Sequence, residues 1–330
     1  MSSRVSSRVV RAEARRTGGD RVDIRVKVSR RSCLLGTVAS ALSMHKARAD
    51  RPSPMPRDFD VRDFTVEGDP ALGRRFTLCV PNHLAQGQKV PLLVLLHGLA
   101  ETSDERLGVY AWIDRYGLPG AYERLRRPPV VRTSPRPDYG DERLAKVNAA
   151  LVARPFAGLV MACPYTPNIW RNANPSANLD RYAGWLADVV VPRARSEARV
   201  VSAHVSIDGC SLGGYVALEA FLRKPELFAA WGGIQSAIGE NSAGTQADRI
   251  AAAISRVGAR PLHIETSEAD PYRRGNVALS ENLRQRGVPN DQLVLPGPHD
   301  QPFLREAGTL EMLLWHDRLQ DFGLNRDPPH

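Results

Sequence analysis

Ala203-His204-Val205-Ser206-Ile207-Asp208-Gly209-Cys210-Ser211-Leu212-Gly213-Gly214-Tyr215-Val216-Ala217-Leu218 is the stretch that decides how this chain is read. Its first part is an apolar run of strand type, and its last part is apolar at helical spacing. Between them Gly209 and Gly213 bracket Ser211 in a G-x-S-x-G pattern. Composition alone would produce that pattern about 0.13 times in such a chain, so the surrounding strand, sharp turn and helix carry the weight. In that setting the serine stands proud of a sheet on a strained turn. Glycines at the two flanking positions remove Cβ atoms that would strike the neighbouring strand and helix. Ser211 also sits at a helix N-terminus, where free N–H groups favour a developing oxyanion, and the Leu212 N–H is one expected donor.

Working outward, a second donor is expected from the loop after an earlier buried strand, at His97-Gly98-Leu99-Ala100, through the N–H of Gly98 or Leu99. A serine hydroxyl needs a base. His299, in Leu295-Pro296-Gly297-Pro298-His299-Asp300, follows the last predicted strand and is chosen over His263 (in a strand), His316 (on the final helix) and the terminal His330. The order serine, acid, histidine goes with this kind of turn, so the acid is sought in Thr266-Ser267-Glu268-Ala269-Asp270. Asp270 and Glu268 both qualify by position. Asp270 is preferred because it lies deeper in the loop, before Pro271. Its ordinary alternative is a turn or N-cap residue.

The rest of the mature chain alternates in kind. Strands are predicted at residues 75–80, 91–97, 158–163, 203–207, 229–235, 261–265 and 292–295, and helices at 179–195, 212–223, 246–257, 274–286 and 306–320. Residues 91–97, PLLVLLH, are apolar without alternation, as in a strand buried on both faces. This alternation predicts an α/β fold with a mostly parallel central sheet and helices on both faces. Residues 50–72 read as a linker and lead-in, 73–322 as one domain, 323–330 as a tail, and the Arg- and Pro-rich stretch 116–148 as a loop or small lid insertion.

The Leu95-Leu96-His97-Gly98 strand end, the Gly209–Gly214 turn with Tyr215-Val216-Ala217-Leu218, the Asp270 loop and Pro296-Gly297-Pro298-His299-Asp300 together resemble the α/β-hydrolase superfamily. Within it the chain from about residue 75 to 320 is most similar to the esterase group that includes esterase D-like (S-formylglutathione hydrolase-type) enzymes and mycolyltransferase antigens. The resemblance implies acyl transfer through a covalent acyl-enzyme on Ser211, usually to water. It implies an ester substrate, small or polymeric, and no cofactor or metal. His97-Gly98-Leu99-Ala100 lacks the extended glycine run of lipases, and 116–148 matches nothing specific. An acyltransferase or a peptidase of the same fold would use the same residues. A binding module that kept the fold without the chemistry is the alternative of another class. Trp170, Trp185 and Trp231 are candidates for a sugar or polyester surface or for core, and Asn172, Asn174 and Asn178 for a loop facing the site.

The formal charge of +9 points at first to nucleic acid. Residues 1–49 hold twelve basic residues against three acidic ones, so the whole excess lies there and the remainder is neutral. Within that segment Ser29-Arg30-Arg31-Ser32-Cys33-Leu34 precedes a short uncharged stretch and then Ala47-Arg48-Ala49. These are the parts of an export signal, and the paired arginines resemble a twin-arginine one. The expectation is an exported protein, periplasmic or extracellular, reached by the twin-arginine machinery, and cytoplasmic if the leader is not used. The competing reading is a basic arm that binds nucleic acid. No run of 18 apolar residues is present, so no membrane-spanning helix is expected. Beyond the leader only Cys79, Cys163 and Cys210 remain, with no C-x-x-C, which speaks against structural zinc and leaves open whether one disulfide forms.

Overall fold

The computed structural model describes residues 58–171 and 174–319. The leader, the C-terminal tail, Asn172 and His330 lie outside the described residues. Eight strands form one sheet: β1 (Phe59–Thr65), β2 (Arg75–Pro81), β3 (Val90–Leu96), β4 (Val160–Pro164), β5 (Val200–Gly209), β6 (Ala230–Ile234), β7 (Leu262–Ala269) and β8 (Asp291–Pro298). Their spatial order is β1-β2-β4-β3-β5-β6-β7-β8. β2 runs antiparallel to both β1 and β4, and the neighbours from β4 through β8 are parallel.

The apolar run of β3 shows why the sheet lies in the interior. Leu92, Val94 and Leu96 face one core cluster, with helices α3 (Pro175–Trp185), α4 (Leu212–Arg223), α5 (Ala243–Val257) and α6 (Arg273–Gln285). Leu93 and Leu95 face a second cluster, with α1 (Leu118–Arg126), α2 (Asp141–Ala153) and α7 (Thr309–Arg318). Side chains alternate across a strand, so a strand covered on both sides must be apolar at every position.

Two expectations are corrected. Residues 116–148 are a loop only in part: 127–140 form neither helix nor strand, and from there Arg136 reaches Asp300. Residues 118–126 and 141–148 instead build α1 and the start of α2, which lay Leu118, Ala121, Tyr122, Leu125, Leu144 and Val147 into the second core. The segment's arginines obscured this from sequence because their stems and heads reach inward to partners. Arg124 bonds the carbonyl of Glu306, and Arg143 forms a bidentate pair with the Glu311 carboxylate (2.6 and 2.5 Å). Residues 50–72 are not all linker, since β1 lies among them and pairs with β2 along its whole length. Cys79, Cys163 and Cys210 are buried free thiols. Among the described residues no helix is long and apolar enough to cross a membrane.

Candidate active site

Parallel strands end on one edge of such a sheet, and loops after those carboxyl ends form its usual crevice. Four of the expected loops meet there. The register pairs Leu96 of β3 with Gly209 of β5, which sets His97-Gly98-Leu99 beside the turn that carries Ser211. Ser211 has φ 56° and ψ −118° and is the residue from which α4 starts. A positive φ is rare outside glycine and is held only where the surroundings over-determine it. Here the Ser211 N–H donates to the Ile234 carbonyl (3.0 Å), and its own carbonyl accepts from Ala237 (2.9 Å) and Tyr215 (3.2 Å). The flanking glycines are obligatory on contact grounds. A Cβ on Gly209 would lie 2.5 Å from the Gly213 backbone, and one on Gly213 would lie 2.2 Å from the Leu96 carbonyl oxygen. Leu212 opens α4, where the N–H has no acceptor within the helix.

Asp270 and His299 are in direct contact. His299 Nδ1 lies 2.8 Å from Asp270 Oδ1. The Asp270 carboxylate is fully enclosed, while the His299 side chain keeps 25% of its surface exposed. Asp270 is held from two further sides: Thr266 Oγ1 donates to Oδ2 at 2.6 Å and the Tyr272 N–H donates to Oδ1 at 3.0 Å. A carboxylate oxygen only accepts, so Nδ1 carries the proton and Nε2 is the basic nitrogen. The Tyr272 ring stands edge-on to the imidazole, with centroids 5.7 Å apart. Glu268, the other acid weighed from sequence, is exposed. Arg136 grips Asp300, the residue after His299, with both guanidinium ends (2.9 and 3.2 Å).

The loop after β3 is pinned at each peptide. The Gly98 N–H donates to the Tyr116 hydroxyl (3.1 Å), so that group is already engaged. The Tyr116 hydroxyl in turn donates to the buried Glu101, which Gln301 also contacts at 3.2 Å and Arg115 at 3.7 Å. Burial raises the Glu101 carboxyl above the usual range. His97 Nε2 accepts from the Thr166 N–H (2.8 Å), which leaves Nδ1 to donate to the Gly98 carbonyl (2.9 Å). Complete burial holds the His97 pKa down at about 4, so the ring is neutral. In a trans peptide the N–H points opposite the carbonyl, so fixing the Gly98 carbonyl fixes the direction of the Leu99 N–H.

The histidines set aside from sequence lie elsewhere. His316 is buried with Nε2 3.0 Å from Asp208 Oδ2, and His263 is buried against the Trp315 ring. Trp231 is fully enclosed and Trp185 donates to the Glu67 carbonyl, whereas Trp170 is 58% exposed and stacks on Tyr215 with centroids 5.8 Å apart. Asn174 caps α3, and Asn178 is buried and accepts from Arg181. Tyr116, Glu101, Arg136, Thr266 and Gln235 were not singled out from sequence. Thr266 sits in the quoted acid loop and could have been noticed as a hydroxyl four residues before the carboxylate. The others carry no local signal. Among the described residues no group of histidine, cysteine and acidic side chains is arranged to hold a metal ion.

The sheet, with its antiparallel β2 and parallel β3 to β8, has the α/β-hydrolase fold. Solved structures that share it include a ferulic acid esterase (TM-score 0.57, 19% identity, 79% of this chain and 98% of that one). Two others are an S-formylglutathione hydrolase from Staphylococcus aureus (0.51, 14%, 78% and 98%) and a mutant feruloyl esterase module from Clostridium thermocellum complexed with sinapinate (0.51, 14%, 84% and 93%). These neighbours are serine hydrolases and esterases, and at such identities the likeness is one of fold. No family model matches the chain, and no curated protein matches it.

Proposed function

We propose that the protein is a serine hydrolase of carboxylic esters that works through an acyl-enzyme on Ser211. The observation that carries this is the Asp270–His299 hydrogen bond, placed at the ends of β7 and β8 on the edge where β5 delivers the strained Ser211 turn. In the proposed cycle His299 Nε2 takes the Ser211 proton as Oγ attacks the ester carbonyl carbon, and the carbonyl electron pair moves onto oxygen. The N–H groups of Leu212 and Leu99 hold that oxyanion, and Gly98, whose N–H is engaged by Tyr116, shapes the loop. Donors of this kind contribute about 3–4 kcal/mol each. Collapse breaks the ester C–O bond, and the departing alkoxide takes the proton from His299. Water, deprotonated by His299, then attacks the acyl-enzyme and releases the acid and free Ser211. Asp270 stabilises the imidazolium in both halves.

The exposed Trp170–Tyr215 stack lies one helical turn along from Ser211 and offers a flat apolar surface. Together with the fold likeness to feruloyl esterases, it favours esters of aromatic acids. The test is hydrolysis of p-nitrophenyl acetate, butyrate and octanoate and of methyl ferulate by the protein and by Ser211→Ala. Equal turnover by the two proteins refutes the reading. Residues 1–49 are proposed as a twin-arginine export signal on the strength of their Arg30-Arg31 pair and short uncharged stretch. A reporter fused to residues 1–55 is expected to lose export when both arginines become lysine. Export that persists through the general secretory route overturns that part.

A further inference from the structure

We infer that Gln235 is a positioning residue that holds the His299 loop in register with the Ser211 turn; this rests on the serine-hydrolase reading above. Gln235 follows the last residue of β6 and has φ 49°, one of two non-glycine residues with positive φ among those described, the other being Ser211. It is almost wholly buried. Glycine would occupy this backbone most cheaply, so a long polar side chain kept here needs a reason.

The side chain supplies one. Gln235 Nε2 donates to Ser267 Oγ at 2.6 Å and to the Pro298 carbonyl at 3.0 Å. A carbonyl can only accept, so the amide must present its nitrogen there, which fixes its orientation. Pro298 C=O belongs to the same peptide plane as the His299 N–H, so pinning that oxygen fixes the point from which the imidazole projects. Ser267 lies on β7 in the strand segment that leads to Asp270.

The backbone around Gln235 holds the nucleophile. Ile234 accepts from the Ser211 N–H, Ala237 donates to the Ser211 carbonyl, and the Gln235 N–H donates to the Glu265 carbonyl of β7 (2.7 Å). One short segment therefore fastens the serine turn with its main chain and the acid and histidine loops with one amide. A proton transfer between Ser211 and His299 depends on their separation, and small displacements of reacting groups are costly.

The experiment compares the full chain with Gln235→Gly, which relaxes the backbone and removes the amide, and Gln235→Asn, which tolerates positive φ but is one methylene too short. Ser211→Ala is run in parallel. The assays are kcat and KM on p-nitrophenyl acetate and the folded fraction by circular dichroism. The expected result in both variants is a fall in kcat of about 10–100-fold with KM within about twofold and the folded fraction unchanged. A purely structural role would scale activity with the folded fraction, with no loss of kcat per folded molecule. That result, or unchanged kcat in either variant, overturns the proposal. If Ser211→Ala keeps its activity, the hydrolase reading falls and the clamp with it. If Ser211→Ala is inactive and the Gln235 variants match the parent, only the clamp falls.

Discussion

Replacing Asp270 by asparagine separates two things the carboxylate is proposed to do, which are to hold the proton on His299 Nδ1 and to supply charge. In a triad whose acid site forces the amide nitrogen toward the histidine, the wrong tautomer results and activity falls about 10⁴-fold. Here the two carboxylate oxygens meet different partners. Oδ1 faces two donors, His299 Nδ1 and the Tyr272 N–H, while Oδ2 faces the Thr266 hydroxyl. A hydroxyl can turn and accept, but a backbone N–H cannot. The introduced asparagine is thus expected to place its oxygen where Oδ1 stands and its nitrogen toward Thr266, so the useful tautomer survives and only the charge is lost. The difference between a charged and a neutral hydrogen bond is about 1–2 kcal/mol, or about 5–30-fold in rate. The measurement is kcat/KM for p-nitrophenyl acetate with the parent, Asp270→Asn, Asp270→Ala and Glu268→Gln. Asp270→Ala should lose far more, and Glu268→Gln should stay within about twofold because its side chain is exposed. A 10⁴-fold loss for Asp270→Asn, the size seen when the tautomer is wrong, refutes the Thr266 argument. A loss under about twofold refutes Asp270 as the acid.

Further outcomes follow from the packing around the site. Gly213→Ala puts a Cβ 2.2 Å from the Leu96 carbonyl oxygen, a backbone atom in the sheet that cannot move aside. The expected cost is about 3 kcal/mol, seen as a melting temperature lower by roughly 6–12 °C, and an unchanged melting curve would contradict the crowding argument. His97 titrates near 6.5 when unfolded and at about 4 when buried. Between those values only the unfolded chain binds the proton, so stability present above pH 6.5 is lost as the pH falls toward 4, on the order of 3 kcal/mol. Urea denaturation at about pH 7 and about pH 4 should show a shallower pH slope for His97→Gln than for the parent; parallel slopes would rule His97 out as the cause. Tyr116→Phe removes the acceptor of the Gly98 N–H and a donor to buried Glu101, so a loss of about 1–3 kcal/mol in denaturant stability is expected, together with reduced kcat. Full retention of both would show that water replaces the hydroxyl.

Much of the fold was legible because its signals are local. The seven predicted strands each overlap a strand of the structure, and the predicted helix at 212–223 coincides with α4. The helix read at 179–195 lies within an unbroken helical run from Pro175 to Glu197, which widens over Leu186–Val190 just ahead of Pro192. Proline lacks the N–H that a regular α-helical ladder would need there, so the reason for the widening was present in the sequence. β1 was missed because an edge strand exposes half of its residues and lacks an apolar run.

The sequence by itself determined the α/β order of elements, the position of the Ser211 turn and its two glycines, and the place of all the excess charge in residues 1–49. Each of these depends on residues within a few positions of one another, where periodicity and steric rules act directly. Only the tertiary structure decided that Asp270 and not Glu268 meets His299, that Tyr116 engages the Gly98 N–H, and that Gln235 joins the serine, acid and histidine loops. Those partners are 18 to 63 positions apart. Hydrogen bonds over such separations are set by which strand ends the sheet brings together, and that order is a property of the assembled sheet rather than of any one stretch of chain.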